Sequence, residues 1–145
     1  MSWKSITTGS ILTTLTQAEY TRYNTVSTSS LYTADTMVQE IINDAVAECR
    51  SYIQGCPRNR VDANVALIPA SCVPKVKAII VHNLMSRVAG KISDVNSSRK
   101  DDYDKAYEFL SKISSGDIGI DLPDNPIQVA QYNQFFGTSA TPINF

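Results

Sequence analysis

One histidine, three cysteines and two acidic clusters are the side chains here whose types could carry chemistry. As a catalytic base, His82 would need a nucleophile and an orienting carboxylate, and its neighbours in sequence supply neither. On a helical wheel it lies away from the apolar stripe around it, which puts it at the surface. Cys49, Cys56 and Cys72 are odd in number and lack CxxC spacing. With a single histidine they do not make a zinc set, and they read as reduced thiols of a cytosolic protein. Asp101, Asp102 and Asp104 follow Arg99 and Lys100, without the spacing of a calcium loop. Carboxylates gather at helix starts because the dipole favours them there, so this cluster reads as a solvated helix start. GxGxxG, a phosphate loop ending in Lys-Ser/Thr, HExxH and GxSxG are all absent. No catalytic, cofactor or metal site is expected, and an enzyme is not the expected class.

The second acidic cluster, Glu40, Asp44 and Glu48, is a row at four-residue steps. Like charges so spaced destabilise an isolated helix by about 0.2–0.5 kcal/mol per pair. The row is a solvated face, or it faces a basic element or a passage for a polyanion that must slide without sticking. Tyr103 and Tyr107 stand one helical turn apart. As a pair they are either a base-stacking platform or, more commonly, core residues with their hydroxyls reaching outward.

Helices must position these groups. The most periodic stretch is 33–55, where Met37, Val38, Ile41, Ile42, Ala45, Cys49, Tyr52 and Ile53 recur at three- and four-residue steps. Thr33 is a suitable N-cap, Tyr32 and Met37 have the spacing of a hydrophobic staple, and Gly55 is a natural stop before Pro57. Before it, Thr16 and Glu19 have capping-box spacing and open a short helix expected to end near Val26. Ser27, Thr28, Ser29 and Ser30 compete with helix through local hydrogen bonds and predict a loop. Residues 1–14, rich in Ser and Thr, predict an extended or loosely packed lead-in.

Residues 56–72 form a connection of a length that is often interface-forming. Arg58 and Arg60 make it basic. Val65 to Ile68 could pack or form a short strand, which Pro69 should end. A basic helix follows from Val73 or Pro74 to before Gly90, with Val76, Ile79, Ile80, Leu84 and Val88 as its apolar stripe. No short turn joins it to a preceding helix, so it does not read as a DNA-recognition helix. A last helix runs from Ser97 or Ser98 to Ser115, with Tyr103, Ala106, Tyr107, Leu110 and Ile113 on its apolar face and Gly116 as its stop.

From Asp117 the pattern changes. Ile118, Ile120 and Leu122 alternate with polar or small residues at the period of a strand. The remaining stretch holds Pro123, Pro126 and Pro142, no Lys or Arg, and yet Ile127, Val129, Tyr132, Phe135, Phe136 and Phe145. A disordered tail is usually poor in aromatics, so this one predicts an extended segment that docks on a surface.

Size and composition agree with one small domain plus an arm. The chain has 145 residues, 43% hydrophobic and 19% charged, with a formal net charge of -1. That balance argues against a general nucleic-acid coat. No apolar run approaches the roughly 20 residues of a membrane span, and the first residues lack the apolar core of a signal peptide. The expected fold class is all-α: a small bundle of one short and three longer helices with an extended C-terminal arm. The expected divisions are a lead-in at 1–14, a helical domain at 15–116 and a docking arm at 117–145.

The sequence resembles the head–tail connector (adaptor, or head-completion) proteins of tailed bacteriophages over about residues 12–123. The resemblance is carried by Leu15-Thr16-Gln17-Ala18-Glu19-Tyr20, by Ala45 through Ile53, by Pro74 through Leu84, and most tellingly by Tyr103-Asp104-Lys105-Ala106-Tyr107-Glu108-Phe109-Leu110 with Ile113, Gly116, Ile118 and Leu122. This chain continues past the glycine turn to Phe145, and extensions that grip the portal are expected in the broader group. The resemblance implies a subunit without catalytic residues that assembles into a ring, typically dodecameric, beneath the portal protein. The ring would extend the DNA channel, pass DNA without reading its sequence, and dock the next tail or stopper component. The implied location is the head–tail junction of the virion, reached from the host cytoplasm, with no membrane and no cofactor. The alternative reading is a small helical interaction or regulatory module without ring assembly.

Overall fold

The computed structural model describes residues 3–29, 34–89 and 97–127. Among them the expected all-α bundle is present, with five helices and a two-stranded ribbon. The lead-in is not loose. Strand β1 (Trp3–Lys4) pairs antiparallel with β2 (Ile68–Pro69), in the register Trp3 to Pro69 and Lys4 to Ile68. Helix α1 (Thr8–Leu12) follows, and the Thr7 hydroxyl caps it by accepting from the Ser10 amide at 3.2 Å. Trp3, Ile6 and Ile11 are buried. They are too few and too unevenly spaced to show a period, so only the core they enter makes them structural. Pro69 is the last residue of β2, and the strand ends there as expected. In a two-residue ribbon the missing N–H costs little.

Helix α2 (Gln17–Ser29) opens on the expected capping box. The Glu19 amide donates to the Thr16 hydroxyl at 3.2 Å, and the Thr16 amide donates to the Glu19 carboxylate at 2.9 Å. The helix continues past Val26 through the Ser-Thr-Ser run expected to be loop. Each added residue gains a backbone hydrogen bond, and Ser and Thr cost only about 0.5 kcal/mol apiece relative to Ala. Helix α3 (Ala34–Gln54) buries Met37, Val38, Ile41, Ile42, Ala45, Val46, Cys49 and Ile53. Thr33 and Tyr32, the expected cap and staple, lie outside the described residues. At its end a side chain on Gly55 would run into the Ser114 hydroxyl, so the glycine permits close approach of another helix.

A 3₁₀ turn (Ala70–Cys72) leads into α4 (Val73–Ala89), which buries Val76, Ile79, Ile80, Val81, Leu84 and Met85. Helix α5 (Ser97–Ser115) buries Ala106, Leu110 and Ile113. It stops as expected at Gly116, whose φ of 90° is left-handed, with the Asp117 amide donating back to the Lys112 carbonyl at 2.9 Å. Arg99 ties the start of α5 to the start of α2. Its guanidinium donates to both Glu19 oxygens, at 2.9 and 3.1 Å, and to the Thr14 carbonyl at 2.9 Å. Burial alone would raise the Glu19 pKa; Arg99 and Thr16 more than offset it and hold the carboxyl below its ordinary value.

The long helix α3 shares the centre with α4, and each packs against all the other helices. One core runs from Trp3 to Ile113. All three cysteines are buried free thiols. No described helix is long and apolar enough to cross a membrane.

Candidate docking surfaces

The connection between α3 and α4 is organised by one buried arginine. Arg50 sits on the buried side of α3, 7% exposed, between Val46 and Ile53. Its guanidinium donates to the carbonyls of Asp62 at 2.6 Å, Leu67 at 2.9 Å and Asn64 at 3.1 Å. Burial lowers its pKa and the charge of Asp62 opposes that shift. Asp62 is itself buried and extends the cluster outward. One carboxylate oxygen accepts the Asn64 amide at 2.8 Å, the other the Asn125 amide at 3.2 Å. The Asn64 side chain accepts the Ala66 amide at 3.0 Å, a second local turn of the Asx kind.

Residues 125–127 lie antiparallel to 61–63 on this platform. The Ala63 amide donates to the Asn125 carbonyl at 2.8 Å and the Ile127 amide to the Val61 carbonyl at 3.0 Å, with a single bridge between Asp62 and Pro126. Sequence reasoning missed both Arg50 and Asp62. The signals were there: an arginine inside an apolar stripe, and Asp-Ala-Asn in the following loop.

The expected docking residues divide into three groups. Ile118 and Ile120 are half-buried against the chain's own core, without forming a strand. Between Ile120 and Leu122 the Trp3 indole donates to the Asp121 carbonyl at 2.9 Å. The period-two pattern there records one side facing the bundle, since an alternating segment can pack singly as well as pair. Leu122 and Ile127 are exposed, at 72% and 44%. Val129, Tyr132, Phe135, Phe136 and Phe145 lie outside the described residues.

Glu40, Asp44 and Glu48 are all exposed, and each meets a different neighbour. Steps of four advance about 40° around a helix, so the row winds across α3. Glu40 borders a shallow hollow with Thr8 of α1, and Asp44 borders another with Asn83 and Arg87 of α4. Glu48 accepts the Tyr107 hydroxyl of α5 at 2.5 Å. Burial and then this carboxylate push the Tyr107 pKa up.

His82 is not at the surface. It is 6% exposed and stacks on Tyr103 at 4.0 Å between ring centroids. The wheel placed it off the apolar stripe correctly, but α5 covers that side of α4 as well. Neither ring nitrogen has a hydrogen-bond partner among the described residues. Burial lowers its pKa; Asn83 and Asp104 oppose this and Lys100 adds to it. Tyr103 also stacks edge-on with Tyr107, so the tyrosine pair is half-buried packing. The acidic cluster expected at the start of α5 lies past its first turn, which holds no acidic residue; Lys100 pairs with Asp104 at 2.9 Å and Asp101 and Asp102 are exposed. Among the described residues no group of His, Cys, Asp and Glu is placed to hold a metal ion.

No curated protein and no solved structure matches the chain. A family model described as bacteriophage Mu, Gp36, matches residues 6–138. The match begins just after β1 and spans all five helices, β2 and the platform that holds residues 125–127. By that extent, the chain belongs to the bacteriophage Mu Gp36 family.

Proposed function

We propose that this chain is a structural phage protein, a head–tail connector subunit that assembles as a ring beneath the portal protein. Membership of a bacteriophage family supports a role in phage structure or assembly. The observation that carries the finer reading is the anchored exit of residues 125–127. The Asp62 platform fixes where the chain leaves the bundle, with Leu122 and Ile127 exposed beside the exit. An uncharged, aromatic segment follows. A rigid body that releases an uncharged, aromatic segment from a fixed point is suited to docking on a portal or a neighbouring subunit, and repetition around a ring lets many weak docks act together.

In this reading the protein has no catalytic role and binds no cofactor. Its partners are portal, further copies of itself in a ring of the dodecameric kind that the resemblance implies, and the next tail or stopper component. DNA passes through without sequence-specific contact. Glu40 and Asp44 are the acidic groups left to face a channel or a neighbour, because Glu48 already holds Tyr107. The work is done at the head–tail junction, after assembly in the host cytoplasm.

Electron microscopy of particles co-expressed with portal tests the proposal. An added ring is expected with the full chain. A chain truncated after residue 127, keeping the platform intact, is expected to fold and fail to join. Absence of any added ring, or undiminished co-sedimentation of the truncated chain with portal, would overturn it.

A further inference from the structure

We infer that a groove between α3 and the Val65–Ala66 turn is the seat for residues 128–145 of a neighbouring copy of this chain. The inference rests on the ring reading above and names one contact within that ring. The groove has a volume of about 350 Å3. Ile6, Ile42 and Val46 form its apolar floor, Val65 its wall, and the amides of Gln39 and Asn43 its rim. No described lining residue is charged.

Val65 is 74% exposed, the largest exposure of a big apolar side chain among the described residues. It is not there through slack. Asn64 caps the turn on one side and Arg50 grips the carbonyls of Asn64 and Leu67 on either side of it. The fold holds an apolar side chain in water beside an apolar floor, an arrangement that a partner relieves.

The occupant is argued from charge and direction. Every Lys, Arg, Asp and Glu of the chain lies at or before Asp124, so residues 128–145 carry none. They combine Val129, Tyr132, Phe135 and Phe136 with Gln128, Gln131, Asn133 and Gln134. Such a segment can bury its apolar side chains on the floor and exchange amide hydrogen bonds with Gln39 and Asn43, with no charge to desolvate on either side. Direction selects the neighbour. Residues 125–127 run antiparallel to 61–63, so the chain leaves towards Val61 and Arg60, away from the end where Val65 stands. An exit at one end and a seat at the other make a head-to-tail contact, the kind that closes into a ring.

The test is a titration of the isotope-labelled full chain with a synthetic peptide of residues 128–145, followed by NMR. Shifts are expected at the amides of residues 39–47 and 65–66. Val65→Lys, at an exposed position, should leave the spectrum folded and weaken peptide binding by about tenfold or more. Sedimentation of the full chain should show association with rising concentration, and Val65→Lys should abolish it. Shifts elsewhere, no shifts at millimolar peptide, or binding indifferent to Val65→Lys would overturn the inference. So would a strictly monomeric chain whose groove is closed to peptide, since its own segment would then fill it. Rings under portal without groove binding sink this inference alone; groove binding without such rings sinks the connector reading alone.

Discussion

Arg50 and Asp62 meet through the wrong end for an ion pair: the guanidinium takes the Asp62 main-chain carbonyl at 2.6 Å, while the carboxylate turns away to the amides of Asn64 and Asn125. The charge on Asp62 is thereby spent on holding backbone from two distant parts of the chain. The arginine does the same with three carbonyls of one loop. Together they join α3, the 61–68 loop and the exit of the last segment into one unit.

Replacing Arg50 should therefore loosen the loop and the exit together. Arg50→Met takes the donor from one buried and two part-buried carbonyls and should cost about 2–4 kcal/mol, read as a lower urea midpoint. Arg50→Lys should recover little, because an ammonium on a flexible stem cannot reproduce the planar fork that spans three acceptors. Hydrogen exchange should quicken at Ala63 and Ile127 in both variants before it quickens in α5. Unchanged exchange at Ile127 would separate the exit from the arginine.

His82 predicts a loss of stability in mild acid. Its folded pKa is lowered by burial, so the unfolded chain takes up the proton first as pH falls. The stability that depends on a neutral His82 is complete above its ordinary value of 6.5 and declines as pH falls below it. His82→Phe keeps a ring against Tyr103 and removes the titration. The melting temperature of the variant should be flatter between pH 7 and about pH 5 than that of the parent. Glu19, also lowered, acts in a separate window, its contribution being present above 4.5 and lost further into acid. Parallel melting curves for parent and His82→Phe would show that the stack tolerates the charge.

Gly116→Ala should destabilise by about 1–2 kcal/mol, because an L side chain is strained at a φ of 90°. The added Cβ would also fall 2.6 Å from the Arg58 guanidinium, which donates to the Gly116 carbonyl at 3.1 Å. Limited proteolysis should cut sooner after residue 116 in the variant. Equal stability and equal cleavage would mean that the turn can relax without the glycine.

Local chemistry was legible in the sequence. The apolar periods of α3, α4 and α5, the reciprocal cap of Thr16 and Glu19 and the stop at Gly116 follow from side-chain spacing and backbone preference alone. These are interactions within one turn or along one face, which a linear chain states directly. The alternation of Ile118, Ile120 and Leu122 was legible as a pattern, but its partner was not: Ile118 and Ile120 pack singly on their own bundle, and Leu122 is left exposed.

Tertiary structure decided what depends on residues far apart in the chain. Trp3 becomes core because β2 and Asp121 come to lie against it, and Ile6 because it meets α3 beside Ile42 and Val46. His82 becomes buried because α5 covers the polar side of α4. Arg50 becomes a clasp because the loop from Asp62 to Leu67 turns its carbonyls inward. In each case a polar or isolated residue carries no period of its own, and its environment is supplied by another element. The acidic row shows both halves of this. Four-residue spacing put Glu40, Asp44 and Glu48 along one helix. Only packing gave Glu48 to Tyr107 and set the other two beside α1 and α4.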